Sequence, residues 1–143
     1  MPAIQFFEED ITYKLKDKAK LRRWITDTVI AEGYKLSELT YVFCSDAYLL
    51  QINQQYLDHD TYTDIITFDN SEEEGKIVGD IFISIPRIQE NAAKFKVSDA
   101  DELHRVIIHG ALHLLGYTDK SAPAKKKMTE KEDYYLAKRQ LIG

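Results

Sequence analysis

The stretch ELHRVIIHGALHLLG, residues 102–116, is apolar or small at nearly every position that is not histidine. A run of that kind forms a central helix buried on most of its circumference, so the other elements must be arranged around it. Ser98, followed by Asp99, Asp101 and Glu102, supplies an N-cap with an acidic first turn, and Gly116 ends the helix. His109 and His113 stand four apart, which sets both imidazoles on one face within reach of one ion. This is the spacing that zinc-binding HExxH helices use, although Gly110 stands where such helices carry the glutamate base. Two hydrogen-bonded core histidines would account for the same spacing, and both readings stay open at this point. Gly110 and Ala111 leave room between the histidines for close approach of backbone or ligand. Because the helix breaks at Gly116, the chain can fold back and bring Asp119 towards the histidine face. Two imidazoles, one carboxylate and an open position form a known catalytic zinc arrangement, and the carboxylate leaves manganese or iron compatible as well.

Working outward, the spacing of Leu21, Trp24, Ile25, Val29 and Ile30 predicts an amphipathic helix from about Lys16 to Glu32, with a basic outer face and Gly33 past its end. LTYVFCSD (39–46) reads as a strand buried on both sides, after which Asp46 is expected to cap a helix whose apolar stripe is Leu49, Leu50, Ile52 and Tyr56. TDIITF (63–68) and KIVGDIFISI (76–85) read as a hairpin across an acidic loop, and a strand near Ile4 to Phe7 brings the total to four. Pro86 opens a third helix through residues 87–96, and a last amphipathic helix runs from about Ala124 to Leu141. Neither a repeat nor a linker divides the chain, so residues 1–143 are expected to form one domain of the mixed α/β (α+β) class.

At 143 residues and 44% hydrophobic content the chain can bury a core unaided. The one cysteine, Cys44, excludes an intramolecular disulfide, and its apolar neighbours predict a buried, inert thiol in a reducing compartment. No leader-like or membrane-length apolar segment is present, so a cytoplasmic protein with no membrane partner is expected. A net charge of −5 argues mildly against nucleic-acid binding. The charge is uneven, however: KLKDKAKLRR (14–23) carries six basic residues, and DNSEEE (69–74) four acidic ones. Each run is accounted for by a solvated face.

HGALHLLGYTD (109–119) resembles the signature of the YbeY-type rRNA maturation factors, roughly H-G-x-L-H-L-x-G-Y-D-H. The likeness continues in INQQYLDHDTYTDIITF (52–68), in GDIFIS (79–84), in Glu102 and Leu103, and in Met128 and Glu132 of the last helix. It implies a small α/β fold with a four-stranded, mostly parallel sheet, about five helices and a zincin-like metal helix. It also implies one zinc ion and a metal-dependent, single-strand-specific endoribonuclease working in the maturation of small-subunit rRNA 3′ ends and in ribosome quality control. Ribosomal RNA and ribosomal subunits are then the partners, and no DNA is expected. Carried over residue by residue, His109 and His113 match the first two ligands, and Asp119 stands where the family has a third histidine.

A second departure is Leu57, where the family usually carries an arginine suited to gripping phosphate. Arg105, one turn before His109, is the candidate replacement, with a solvent-facing or ion-paired role as its alternative. Beside a metal helix, Lys14, Lys16, Lys18, Lys20, Arg22 and Arg23 become a candidate RNA track, and Lys125 to Lys127 a second. Thr63 and Asp64 are either rim residues of the cleft or strand-end caps. A ribosome-assembly binding factor with a structural or weak metal is the rival reading, and a minimal peptidase is disfavoured by the missing glutamate.

Overall fold

The computed structural model of the chain describes residues 3–57 and 63–139. Among them are four strands, β1 (Ile4–Glu9), β2 (Lys35–Cys44), β3 (Ile65–Asp69) and β4 (Lys76–Ser84), and five helices. The helices are α1 (Lys18–Ala31), α2 (Asp46–Leu57), α3 (Ile85–Phe95), α4 (Asp99–Leu114) and α5 (Ala122–Lys138). The sheet order is β1-β2-β4-β3, with β1 parallel to β2, β2 parallel to β4, and β3 antiparallel to β4. The mixed sheet, the hairpin and the helix count agree with the sequence reading.

Alternation along the strands sorts the core into two layers. Leu39, Tyr41 and Phe43 of β2 and Ile77, Ile81 and Ile83 of β4 meet α1, α3, α4 and α5 on one face. Cys44 and Ile66, with Phe68 and Phe82, meet Leu49, Tyr48 and Ile52 of α2 on the other. The central helix earns its place by a missing side chain: a Cβ on Gly110 would come within 2.9 Å of Ile65 Cδ1 and 3.0 Å of Ile81 Cδ1. The glycine therefore lets α4 lie directly on β3 and β4, and the close approach expected at this position is by the sheet. The Tyr41 hydroxyl, fully buried, donates to the Ile107 carbonyl at 2.9 Å and ties the same helix to β2. Cys44 is buried as expected, and burial together with the charges of Asp10, Asp46 and Glu9 pushes its thiol up to about 12. Such a group is inert at neutral pH.

Several local expectations are corrected. Helix α1 begins at Lys18, because Asp17 takes a left-handed conformation at φ 59°. Ile30 and Tyr56, assigned to apolar stripes, are 60% and 61% exposed. On α2 the buried stripe is Leu49 and Asn53, while Tyr56 sets its ring against the edge of Phe68. Ser45 rather than Asp46 caps α2, accepting from the Tyr48 amide at 3.1 Å. Asp46 instead pairs with Arg87 at 2.7 Å and accepts from Ser84, linking α2 to α3. Strand β2 starts at Lys35, four residues before the buried run that marked it in sequence. Ser121 starts α5 two residues early, and the expected end at Leu141 lies outside the described residues. Ser98 caps α4 as read, accepting from Asp101 N at 3.0 Å.

His104, the third histidine of α4, is a core histidine. Its ring lies edge-on to Trp24, and its Nδ1 accepts from Arg139 Nη1 at 2.5 Å, which requires a neutral imidazole. Burial, seconded by the Arg139 charge, lowers its pKa to about 4 against the opposing pull of Asp101 and Asp17. Above pH 6.5 the ring is neutral whether folded or not, so it adds no pH dependence there. As pH falls from 6.5 to 4 the unfolded chain takes up a proton that the folded chain refuses, and stability drops by about 3 kcal/mol before levelling off. Urea unfolding at pH 7 and pH 4.5 should show that loss in the parent chain and a much smaller one in His104→Leu.

Candidate active site

Helices α4 and α5 and the start of β3 enclose a cavity of about 520 Å³ into which His109, His113 and Asp119 all open. The histidine face of α4 is thus the floor of a cleft, with Arg105 and Glu132 on its walls. Thr63 and Asp64 line it too, in agreement with the rim reading.

His109 is held from two sides. Glu132 Oε2 stands 2.6 Å from its Nδ1, and its Nε2 faces Asp119 Oδ2 at 3.6 Å. Burial opposes a proton on this ring, but the Glu132 hydrogen bond and the charges of Glu132, Asp119 and Asp64 outweigh it and raise the pKa. The other Glu132 oxygen accepts from Arg105 Nη1 at 2.8 Å, and Arg105 Nη2 donates to Asp133 at 2.6 Å. Arg105 therefore takes the ion-paired role while still lining the cavity.

Two donors about 2.1 Å from a tetrahedral zinc stand about 3.4 Å apart. The 3.6 Å between His109 Nε2 and Asp119 Oδ2 is close to that spacing and too long for a hydrogen bond. A carboxylate on the far ring nitrogen, as Glu132 provides, is the usual outer support of a metal-binding histidine. His113 lies one turn on, its ring 9° from parallel with His109 and 6.2 Å away, and its Nδ1 is buried without a hydrogen-bond partner. As the side chains lie, no three His, Cys, Asp or Glu groups among the described residues close on a common point. In chemistry the donor set suits an ion, two imidazoles and a carboxylate on one cavity, with the His109–Asp119 distance near that of two donors on one zinc.

The turn carrying Asp119 is built and anchored locally. Gly116 takes φ +103°, which a side chain would strain, and its amide and that of Tyr117 bond back to His113 and Leu112 of α4. The Tyr117 hydroxyl donates to Glu32 at the end of α1 at 2.5 Å. Glu32 also accepts from Tyr135 and from Lys131, the latter at 3.2 Å. Burial raises the Glu32 pKa, but these three donors prevail and hold it below the ordinary carboxylate range.

The basic track does not reach this cavity. Lys20 and Arg23 line a separate one of about 400 Å³ with Trp24, Tyr134 and Lys138. The Arg22 Nε donates to the Ile4 carbonyl at 3.0 Å and its guanidinium stacks over Phe6, a packing role. Lys14, Lys16 and Lys18 are exposed and away from the histidines. Of the second basic run Lys125 lines the cleft, as does Lys120, whereas Lys126 and Lys127 do not. Leu57 is 41% exposed and does not line the cleft either.

Glu132 belongs to the family-like pattern of the last helix, but nothing in its spacing assigns it a partner. The missed signal is its place on the buried stripe of α5, between Met128 and Tyr135 at positions four and three residues away. A carboxylate on a buried stripe needs a partner, and His109 with Arg105 supply it. Glu102 and Asp64, which line the same cavity, were likewise unassigned as a pair; burial lifts both carboxyls above their ordinary range, and the Asp64 charge raises Glu102 further.

Comparison with known proteins places this arrangement. The family model described as endoribonuclease YbeY matches residues 4–140. A Cytophaga hutchinsonii protein named endoribonuclease YbeY is 54% identical over 136 residues, covering 95% of each chain. A Porphyromonas gingivalis protein of the same name is 40% identical, covering all of this chain and 95% of its own. The solution structure of TM1509 from Thermotoga maritima superposes with a TM-score of 0.63 at 28% identity, covering 93% of this chain and 86% of that one. The match takes in both histidines, the turn after them and the helix that supplies Glu132, and on that extent the chain belongs to the YbeY endoribonuclease family.

Proposed function

We propose that the protein is a metal-dependent, single-strand-specific endoribonuclease that acts on ribosomal RNA in the cytoplasm, during small-subunit 3′-end maturation and ribosome quality control. The observation that carries the metal-dependent reading is the double hold on His109: Glu132 on one ring nitrogen at 2.6 Å, and Asp119 across from the other at 3.6 Å. His109, His113 and Asp119 would hold the ion, zinc in the first instance. When bound, it supplies polarisation of a phosphoryl oxygen and a lowered pKa for a water. Glu132 accepts the Nδ1 proton of His109, so that Nε2 presents its lone pair to the cleft. Arg105, paired with both Glu132 and Asp133, steadies the carboxylate that holds His109. Lys120 and Lys125 bring positive charge to the same cleft. No helix among the described residues is long and apolar enough to cross a membrane.

The rival is a ribosome-assembly binding factor with a structural or weak metal. It is favoured by one observation, the lack of three converged donors among the described residues. Mass spectrometry of metal content separates the two when run beside cleavage of single-stranded and duplex RNA. About one zinc per chain, preferential cutting of single strands, and loss of both in His113→Ala support the nuclease. Undiminished binding of ribosomal subunits by a chain that cuts no RNA, whether or not it holds metal, would establish the rival.

A further inference from the structure

Among the described residues, Phe95 alone of the exposed large apolar side chains lines the histidine cavity. It is 57% exposed, at the last position of α3. It also lines an adjoining cavity of about 400 Å³, reached past Glu102 and Arg105, which are common to both. The ring thus stands on the rim where the cleft continues away from His109. Val97, 43% exposed, lies next along this second cavity, and the Lys94 ammonium sits 5.9 Å from the Phe95 ring centroid.

Charge says what this extension can hold. Its two cations are engaged, Arg105 with Glu132 and Asp133, and Arg139 with Asp101 at 2.5 Å and His104. Asp101 and Glu102 line the same walls. A phosphate would find little uncompensated positive charge there, whereas a flat apolar face at a cleft rim, flanked by a cation, suits a nucleobase. We infer that Phe95 is a base-stacking platform, holding one unpaired base of the RNA strand beside the cleft and so fixing the strand's register. Stacking of this kind requires an unstacked base, which gives single strands an advantage that duplex cannot share. This deepens the nuclease reading and rests on it for the identity of the ligand.

The test uses the whole protein with single-stranded RNA oligonucleotides carrying 2-aminopurine at successive positions, read by stopped-flow fluorescence before cleavage and by steady-state kinetics. Phe95→Ala should raise KM about tenfold with kcat within about twofold, and Phe95→Trp should restore KM. One 2-aminopurine position should be quenched in the parent and lose its quenching in Phe95→Ala. The dependence of binding on salt should be the same in Phe95→Ala as in the parent, since no phosphate contact is removed. An unchanged KM, a rise that Phe95→Trp does not restore, or an altered salt slope overturns the inference. A chain that cuts no RNA yet shows quenching abolished by Phe95→Ala upholds the platform and refutes the nuclease. A chain that cuts RNA with the same KM and the same quenching in Phe95→Ala as in the parent refutes the platform alone, and one that neither cuts nor quenches refutes both.

Discussion

Substituting alanine for His109 should lower single-strand cleavage about a thousandfold or more while the chain stays folded. The magnitude is that of about 4 kcal/mol of charge stabilisation lost with a metal at a phosphoryl centre. His109 is only partly buried, and removing it leaves Glu132 still paired with Arg105, so no isolated charge is stranded in the core. Glu132→Gln provides the graded comparison. The amide oxygen can still accept the Nδ1 proton of His109, but the charge that strengthens the imidazole as a donor is gone, and zinc affinity should fall about 10- to 100-fold. Cleavage rates at saturating zinc then separate the two variants: Glu132→Gln recovers with added metal and His109→Ala does not. Recovery of His109→Ala at high zinc would remove that imidazole from the ligand set.

The largest stability effect is expected at Trp24, on the seam between α1 and α5. The indole is 6% exposed, and its Nε1 donates to the Tyr135 carbonyl at 2.8 Å. Trp24→Ala removes a buried ring that lies edge-on to His104 and leaves a carbonyl unpaired, at a cost of about 3–5 kcal/mol. For a chain of this size that is roughly 10–15 °C in melting temperature. Trp24→Phe keeps most of the packing and loses only the donor, so it should cost about 1–2 kcal/mol. Equal melting temperatures for the two variants would show that packing around the ring contributes little.

How much of this was legible in the sequence differs by element, for physical reasons. The central helix was read almost to the residue, because Ser98 and Gly116 act through the local backbone and the apolar run between them is unbroken. The hairpin was readable because β3 and β4 are neighbours in both sequence and space. The placement of the basic run away from the histidine cleft was not, since it depends on which way α1 crosses the sheet. Nor was the choice of Ser45 over Asp46 as a cap, because Asp46 is drawn away by Arg87, 41 residues distant. The histidine pair and Asp119 announced themselves by spacing and by the break at Gly116. Glu132 did not, because a hydrogen bond across 23 residues leaves no periodicity to read.

The anchoring of Tyr117 by Glu32 sets a timetable for synthesis. Glu32 is made early, Tyr117 85 residues later, and Lys131 and Tyr135 99 and 103 residues later. A growing chain that has just emitted the histidine helix lacks both the rest of that anchor and the carboxylate that orients His109. On the proposed reading, a nuclease whose target is ribosomal RNA thereby completes its site only after the chain through Tyr135 has been made and freed to fold, which delays its activity beside the particle making it.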